Sequence, residues 1–167
     1  MEEKNKAWKT VSSKYLFRRP WLTVRCEDML LPNGNHIPEY YILEYPDWVN
    51  TIAITKDGQF VFVRQYRPGI ERTCYELCAG VCEKEDASPL VSAQRELWEE
   101  TGYGKGNWQE YMVISANPST HTNLTHCYLA TDVERMDVQH LDQRLDAQLF
   151  CLFLAHDDHS GRCVVDA

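Results

Sequence analysis

The sequence is short of positive charge. Lysine and arginine total 17 residues against 25 aspartates and glutamates, so the formal net charge is −8 at pH 7. A nucleic-acid partner usually requires a concentrated basic surface that displaces counterions from the phosphate backbone. We therefore expect no nucleic-acid partner. A protein this acidic can still act on a phosphate compound if bound divalent cations neutralise that compound locally.

Long apolar runs and closely paired cysteines are absent as well. No stretch is long enough to span a membrane, the chain begins without an apolar targeting segment, and the seven cysteines include no Cys-x-x-Cys pair. Cys74, Cys78 and Cys82 recur every four residues, but their segment is typical of a strand followed by a loop, so packing is favoured over zinc binding. These features predict a cytoplasmic protein with reduced thiols and no membrane partner.

The chain does contain enough apolar material for one core. It has 167 residues, 44% of them apolar, and we expect a single domain over residues 10–167. Alternating apolar runs joined by turn residues indicate two hairpins. Their strands are Leu22–Leu30 with His36–Leu43, and Thr51–Thr55 with Phe60–Gln65. Further strands are predicted at Cys74–Leu77, Trp108–Ser115 and Thr125–Ala130.

One strong helix is predicted among these strands. Ser88 suits the N-cap position, Pro89 suits the first turn, and Gly102 suits the C-terminal end. Residues at helical spacing connect these ends, namely Leu90, Ala93, Leu97 and Thr101. Many strands with one strong helix predict an α+β domain.

Three carboxylates on this helix carry the chemical signal. Glu96 precedes Glu99 and Glu100 by three and four residues, so all three project from one side of the helix, next to Arg95. Like charges at these spacings repel, which suggests that a cation binds between them, and oxygen ligands favour Mg²⁺ or Mn²⁺. A solvated acidic face is the alternative. A strand that runs into a glycine turn at Glu76–Gly80 favours the ligand site, because it leaves backbone groups free.

The segment from Gly80 to Tyr103 resembles the Nudix box. The second half of that pattern fits at every fixed position, at Arg95, Glu96, Leu97, Glu99, Glu100, Gly102 and Tyr103. The first half is one residue too long, since 14 residues instead of 13 separate Gly80 from Arg95. The first glutamate of the box therefore falls on Asp86 counting forward and on Ala87 counting backward. A one-residue insertion explains this, and the roles of Glu83, Glu85 and Asp86 stay open.

Flanking residues resemble the ADP-ribose pyrophosphatase branch of that family. They are Arg64–Pro68 and Glu76–Gly80, in which Cys78 replaces a proline. The resemblance implies a mixed β-sheet sandwiched between helices, with an N-terminal antiparallel hairpin region. It also implies a homodimer in which the N-terminal strands, residues 10–45, help to build the substrate pocket of the other subunit. The expected reaction is metal-dependent cleavage of a nucleoside diphosphate compound, with ADP-ribose giving AMP and ribose 5-phosphate.

The resemblance also implies roles for individual residues. Glu96, Glu99 and Glu100 would hold the metal ions together with the backbone carbonyl of Ala79, and Arg95 would orient the carboxylates. The catalytic set is thus Glu99, Glu100 and Arg95. The expected substrate contacts are Arg67 at the diphosphate, Glu76 at the terminal sugar or as a support of the loop, and Trp21 or Tyr40 stacked on the base. The alternatives are a surface arginine at a strand end for Arg67 and a core position for Trp21 or Tyr40.

The C-terminal part departs from the family pattern. Related chains place a further acidic residue, the candidate general base, after the strand that ends near Ala130, whereas residues 141–167 look atypical. Glu134, Asp142 or Asp146 is a hypothetical substitute, and weak turnover is the alternative. His121 and His126 are favoured as polar loop residues over a metal pair. Hydrolysis of GDP-mannose or NADH, and a sensor that binds a nucleotide sugar without catalysis, remain alternative functions.

Overall fold

The computed structural model describes residues 6–20, 22–138, 147–152, 154–156 and 163–165, with side chains up to Val138. The chain divides into two compact units. One comprises Met1–Pro46 and Ser115–Leu124, and the other comprises Asp47–Ile114 and Thr125–Ala167. None of the described helices is long and apolar enough to cross a membrane.

The first unit is a three-stranded antiparallel sheet in the order β1 (Lys9–Arg19), β2 (Leu22–Leu30) and β3 (His36–Glu44). The hairpin of β2 and β3 is confirmed at its predicted position. Every residue of β1 is exposed to solvent, including apolar ones. The segment Ser115–Leu124 is attached to β3, because the Thr122 amide donates to the Leu43 carbonyl at 3.1 Å and the Leu43 amide donates to Thr120 at 2.8 Å.

The second unit is built on a mixed sheet. Its strands, with those of a small second sheet, are β4 (Trp48–Thr55), β5 (Phe60–Arg67), β6 (Arg72–Glu76), β7 (Cys78–Val81), β8 (Tyr103–Gly104), β9 (Asn107–Ile114), β10 (Thr125–Arg135), β11 (Ala147–Leu152), β12 (Leu154–His156) and β13 (Cys163–Val165). The main path of the mixed sheet is β11-β5-β4-β10-β8, in which β4 and β10 run parallel. Beside this path, β6 pairs with β5, β7 pairs with β4, and β9 pairs with β10. A separate two-stranded sheet pairs β12 with β13.

Helix α1 (Pro89–Thr101) packs on this sheet and begins and ends where the sequence predicts. Ser88 caps it by accepting the Val91 amide, and Gly102 ends it in the left-handed region at φ 73. Ala93 and Leu97 are fully buried against the core of the sheet. Burying a leucine side chain contributes about 2 kcal/mol. The buried side of α1 is therefore fixed on the sheet, and this also sets the direction of Glu96 and Glu100, which lie next to Ala93 and Leu97 around the helix.

One expectation is corrected. The prediction of a glycine turn at Gly80 is wrong, because Gly80 lies inside β7 and pairs with Val49 of β4. The predicted mixed sheet and N-terminal antiparallel region are confirmed, and α1 is the one α-helix among the described residues. A 3-10 turn at Pro68–Ile70 joins β5 to β6.

Candidate functional site

The acidic side of α1 faces the short strand β7. Glu100 is only 7% exposed, and its carboxylate accepts the Ala79 amide at 3.3 Å. The carboxylate of Glu96 lies directly over Gly80, where an added Cβ would be 2.0 Å from Glu96 Cδ. The backbone of β7 thus approaches the two carboxylates closely because Gly80 has no side chain.

Arg95 holds this cluster together through its guanidinium group. Its Nη1 donates to Glu96 Oε1 at 2.9 Å and to Glu99 Oε2 at 3.1 Å. Its Nη2 donates to the Val81 carbonyl and to Asp86 Oδ2, both at 3.0 Å. The planar fork of an arginine suits several acceptors in one plane. Arg95 therefore links α1, the end of β7 and the loop before the helix.

Asp86 is a site residue whose role the sequence left open. It accepts hydrogen bonds from Arg95 and from the Ser92 hydroxyl, the latter at 2.7 Å. These hydrogen bonds hold the pKa of Asp86 below its ordinary value. Counting forward from Gly80 had singled out Asp86, but no sequence signal pointed to Ser92, which is completely buried in α1.

The carboxylates are in an unfavourable electrostatic environment. Burial, followed by the charge of Glu96, raises the pKa of Glu100 to about 7. Burial also raises the pKa of Glu96, with Arg95 acting in the opposite direction. A buried acidic pair with too little positive charge nearby has the oxygen donors and the negative potential that a hard divalent cation requires.

The arrangement shown is nevertheless held by Arg95. Among the side chains described, no group of three or more His, Cys, Asp or Glu residues is arranged to hold a metal ion. Glu96 and Glu99 share Arg95 Nη1, so the guanidinium and a divalent cation would compete for the same carboxylates. The residue types fit a divalent metal site, and their present hydrogen bonds define what a metal must displace.

Two of the expected substrate contacts lie side by side. Arg67, at the end of β5, donates through Nε to Glu76 Oε1 at 2.9 Å and through Nη2 to Oε2 at 2.5 Å. The hydrogen bonds to Glu76 raise the pKa of Arg67, and the charge of Glu100 adds a smaller contribution in the same direction. The structure thus brings Arg67 and Glu76 together as an ion pair near Glu100.

The other candidates fall elsewhere. Trp21, Asp142 and Asp146 lie outside the described residues. The Tyr40 hydroxyl donates to the Ser119 carbonyl, and its ring meets Trp8 edge-on with a centroid distance of 5.5 Å. Glu134 pairs with Lys56 and Lys105.

Glu134 is poorly suited to act as a general base. Its two lysine partners lower its pKa, and a carboxylate held strongly in its charged form is a weak proton acceptor. His126 lies 3.4 Å from Asp47 and 3.9 Å from Glu110. Tyr45 packs against the ring of His121 at a centroid distance of 5.2 Å. The two histidines belong to different compact units.

Comparison with known proteins gives consistent likenesses. The NUDIX domain family matches residues 45–156, and the nucleoside diphosphate sugar hydrolase N-terminal domain matches residues 8–43. The chain is 32% identical over 129 residues to a Bacillus subtilis (strain 168) protein named ADP-ribose pyrophosphatase, covering 77% of this chain and 69% of that protein. The same identity and coverage hold for a Bacillus methanolicus protein named methanol dehydrogenase activator.

A Mycobacterium tuberculosis protein named ADP-ribose pyrophosphatase is 28% identical over 136 residues, which cover 80% of this chain and 65% of that protein. Among solved structures, one described as an ADP compounds hydrolase superposes with a TM-score of 0.74 over 86% of this chain and 77% of that one. Its sequence identity is 21%, so this likeness concerns the fold.

Proposed function

This chain belongs to the Nudix family of hydrolases, and we propose that it cleaves the diphosphate bond of ADP-ribose, giving AMP and ribose 5-phosphate. The observation that carries this proposal is the cluster of Glu96, Glu99 and Glu100 on one side of α1, tied by Arg95 to β7. The names of two relatives support ADP-ribose as the first substrate to test.

Each residue of the cluster has a proposed task. Glu96, Glu99 and Glu100 would hold Mg²⁺ or Mn²⁺ together with the Ala79 carbonyl, and Arg95 orients Glu96 and Glu99 through its two hydrogen bonds. When bound, a divalent metal lowers the pKa of a coordinated water and offsets negative charge that develops on phosphoryl oxygens. Metal dependence is typical of the family, and the preference for Mg²⁺ or Mn²⁺ is part of the proposal.

Arg67 and Glu76 would bind the substrate. Arg67 is 45% exposed at its side chain and already forms a two-pronged pair with a carboxylate, the geometry with which a guanidinium also binds a phosphate. A diphosphate would therefore compete with Glu76 for Arg67, and Glu76 would be released toward the terminal sugar. Trp21 or Tyr40 is proposed to stack on the base.

The test is hydrolysis of ADP-ribose by the purified chain with Mg²⁺ or Mn²⁺, followed by chromatography of AMP and ribose 5-phosphate. We expect Glu99→Gln and Glu100→Gln to reduce turnover at least about a hundredfold. The matched control is Glu85→Gln, a loop carboxylate that is exposed and outside the proposed metal site. Equal turnover of all three variants would remove the proposed metal role.

The substrate itself is tested with a panel of GDP-mannose, NADH and ADP-ribose. The residues that select among these compounds lie in the pocket and not in the Nudix box, so kcat/KM for each compound decides the question. Binding of a nucleotide sugar without release of any monophosphate would favour the non-catalytic sensor.

We also propose that the protein is a homodimer built through its N-terminal strands. The eleven residues of β1 are all exposed, among them Val11 at 56% and Phe17 at 54%. Such apolar exposure along one strand is typical of an interaction surface. The cytoplasmic location inferred from the cysteines remains a prediction from composition.

A further inference from the structure

A cavity lies on the side of α1 that points away from the carboxylates of Glu96 and Glu100. Its volume is about 400 Å³, and it is lined by Gln94, Trp98, Gly104, Lys105, Trp108 and Met136. Gln94 and Trp98 each precede a carboxylate of the cluster by two residues, Glu96 and Glu100. Two residues correspond to about 160° around a helix of 3.6 residues per turn. The cavity is therefore separate from the proposed catalytic cluster, although α1 contributes to both.

Two indoles and a methionine give the cavity its apolar walls. The Trp108 indole is held in place because its Nε1 donates to the Lys105 carbonyl at 2.7 Å and its ring meets Tyr128 edge-on at 6.4 Å. Gly104 allows Met136 to approach, since an added Cβ would be 2.6 Å from the Met136 sulfur. Cavities of this volume, with aromatic walls and a few polar groups, are typical of small-molecule sites.

The polar groups at this cavity include a lysine whose backbone conformation is unusual. Lys105 adopts φ 54, in the left-handed region that is unfavourable for residues other than glycine. Its side chain is 63% exposed, and its ammonium group lies 3.5 Å from a carboxylate oxygen of Glu134, whose other oxygen contacts Lys56. An exposed ion pair at this distance contributes little, so the ammonium group can turn to another anion at low cost.

We propose that this cavity binds a small molecule that carries a flat aromatic ring and one anionic group. The ring would stack against Trp98 and Trp108, and the anion would pair with Lys105. Both features are required together, because the indoles alone do not select charge and the lysine alone is a solvated surface group.

Three matched probes test the two features on the full chain without metal or substrate, by calorimetric titration. They are 2-naphthoate, its neutral analogue 2-naphthamide, and decahydro-2-naphthoate, which has the same carbon skeleton without the aromatic rings. We expect 2-naphthoate to bind with one-to-one stoichiometry, and each analogue to bind about tenfold more weakly. The acidic face of α1 repels 2-naphthoate and so does not offer a competing site.

Substitutions of residues that line the cavity test whether the probes bind there. Lys105→Gln should make the affinities for 2-naphthoate and 2-naphthamide equal, and Trp98→Ala should weaken both about tenfold. Lys14→Gln, which changes an exposed lysine of β1, is the control and should bind as the unchanged chain does. Failure of 2-naphthoate to bind overturns the proposal, as does a preference for 2-naphthoate that survives in Lys105→Gln. The Lys105 result stands even if Trp98→Ala fails to fold, and neither result depends on hydrolase activity.

Discussion

Because Gly80 has no side chain, the carboxylate of Glu96 can lie directly over β7. The group that a Cβ would meet there is the far end of the flexible Glu96 side chain, at 2.0 Å. We expect Gly80→Ala to fold with a thermal midpoint within about 3 °C of the unchanged chain, because Glu96 can move aside. Hydrolysis should fall at least about tenfold, because the moved carboxylate leaves its position beside β7.

The control for this prediction is Gly69→Ala. No atom lies within 4 Å of the Cβ that this substitution would add, and Gly69 has no positive φ. Melting curves and initial rates for the two variants separate the effects. A Gly80→Ala protein that keeps full activity, or that melts far below the control, would contradict the explanation.

The ion pair between Asp86 and Arg95 should make the stability of the protein depend on pH in the acid range. The pKa of Asp86 is lowered in the folded state by Arg95 and Ser92, so Asp86 stabilises the fold at pH values above its ordinary pKa of 3.8. This stabilisation is lost as the pH falls through the lower, folded-state pKa. We expect urea unfolding between about pH 5 and pH 2 to show a smaller loss of stability in Asp86→Asn than in the unchanged chain.

The same substitution should affect turnover at neutral pH. Asp86→Asn replaces two charged acceptor oxygens with one neutral amide oxygen, so Arg95 loses the charge-assisted hydrogen bonds that its Nε and Nη2 make to Asp86. We expect kcat to fall about tenfold, with Asp86→Glu recovering part of the loss and KM changing little. If Asp86→Asn raises KM and leaves kcat intact, Asp86 acts on substrate binding instead.

Glu100 should lower the stability of the metal-free protein. Its folded-state pKa of about 7 lies above the ordinary value of 4.5, so stability falls as the pH rises between these two values. Glu100→Gln removes this penalty and can still accept the Ala79 amide. We expect the variant to be more stable at pH 8 without metal, by up to about 3 kcal/mol, while losing turnover.

A pH series distinguishes this account from a packing effect. The stability gained by Glu100→Gln should disappear at about pH 4, where the carboxyl group is protonated in both the folded and unfolded states. A gain that is equal at pH 4 and pH 8 would show that charge is not its cause.

Among the elements, α1 depends on how its C-terminal end is closed. Gly102 adopts φ 73, its amide donates to the Trp98 carbonyl at 2.7 Å, and an added Cβ would be 2.1 Å from the Asp137 carbonyl oxygen. We expect Gly102→Ala to lower the free energy of unfolding by at least about 2 kcal/mol, because conformational strain and a backbone clash add together.

Gly58→Ala is the matched comparison, since Gly58 adopts φ 81 with no atom within 4 Å of the added Cβ. It should lose about 1 kcal/mol, from the left-handed conformation alone. Chemical denaturation of both variants gives the difference, and equal losses would mean that the Asp137 backbone moves aside without cost.

Sequence predicted some elements well because their signals are local. The two ends of α1 depend on Ser88 and Gly102, whose capping contacts reach at most four residues away. Strand β7 could not be predicted in this way, because its pairing partner is β4, about thirty residues earlier in the chain. The sequence predicts a turn at Gly80, whereas the structure shows that the missing side chain of Gly80 leaves room for the Glu96 carboxylate of α1.

The site shows the same division. Spacing on one helix predicted that Glu96, Glu99 and Glu100 share a side of α1. The partners of Arg95 at Val81 and Asp86 lie 14 and 9 residues earlier in the chain, so spacing on the helix alone could not identify them. Ser92 had no signal, since a serine inside a helix is ordinary until its hydroxyl is seen to contact Asp86.

For the whole molecule, the exposed strand β1 leads to a prediction about assembly. Val11, Tyr15, Leu16 and Phe17 are all at least 41% exposed, which is an unusual concentration of apolar surface on one strand of an acidic protein. We expect sedimentation equilibrium to give about twice the chain mass of 19.5 kDa. Phe17→Glu should shift the protein toward the monomer, because a buried carboxylate without a partner weakens an apolar interface.

Assembly and activity should then change together if N-terminal strands complete the partner's pocket. We expect Phe17→Glu to raise the KM for ADP-ribose at concentrations where the dimer dissociates, and added protein to restore it by mass action. Val91→Glu is the control, because it introduces a carboxylate at an apolar residue of α1 that is 39% exposed. It should leave the mass measured by sedimentation equilibrium unchanged. A monomeric unchanged chain, or a Phe17→Glu protein that stays dimeric, would show that β1 does not form the interface.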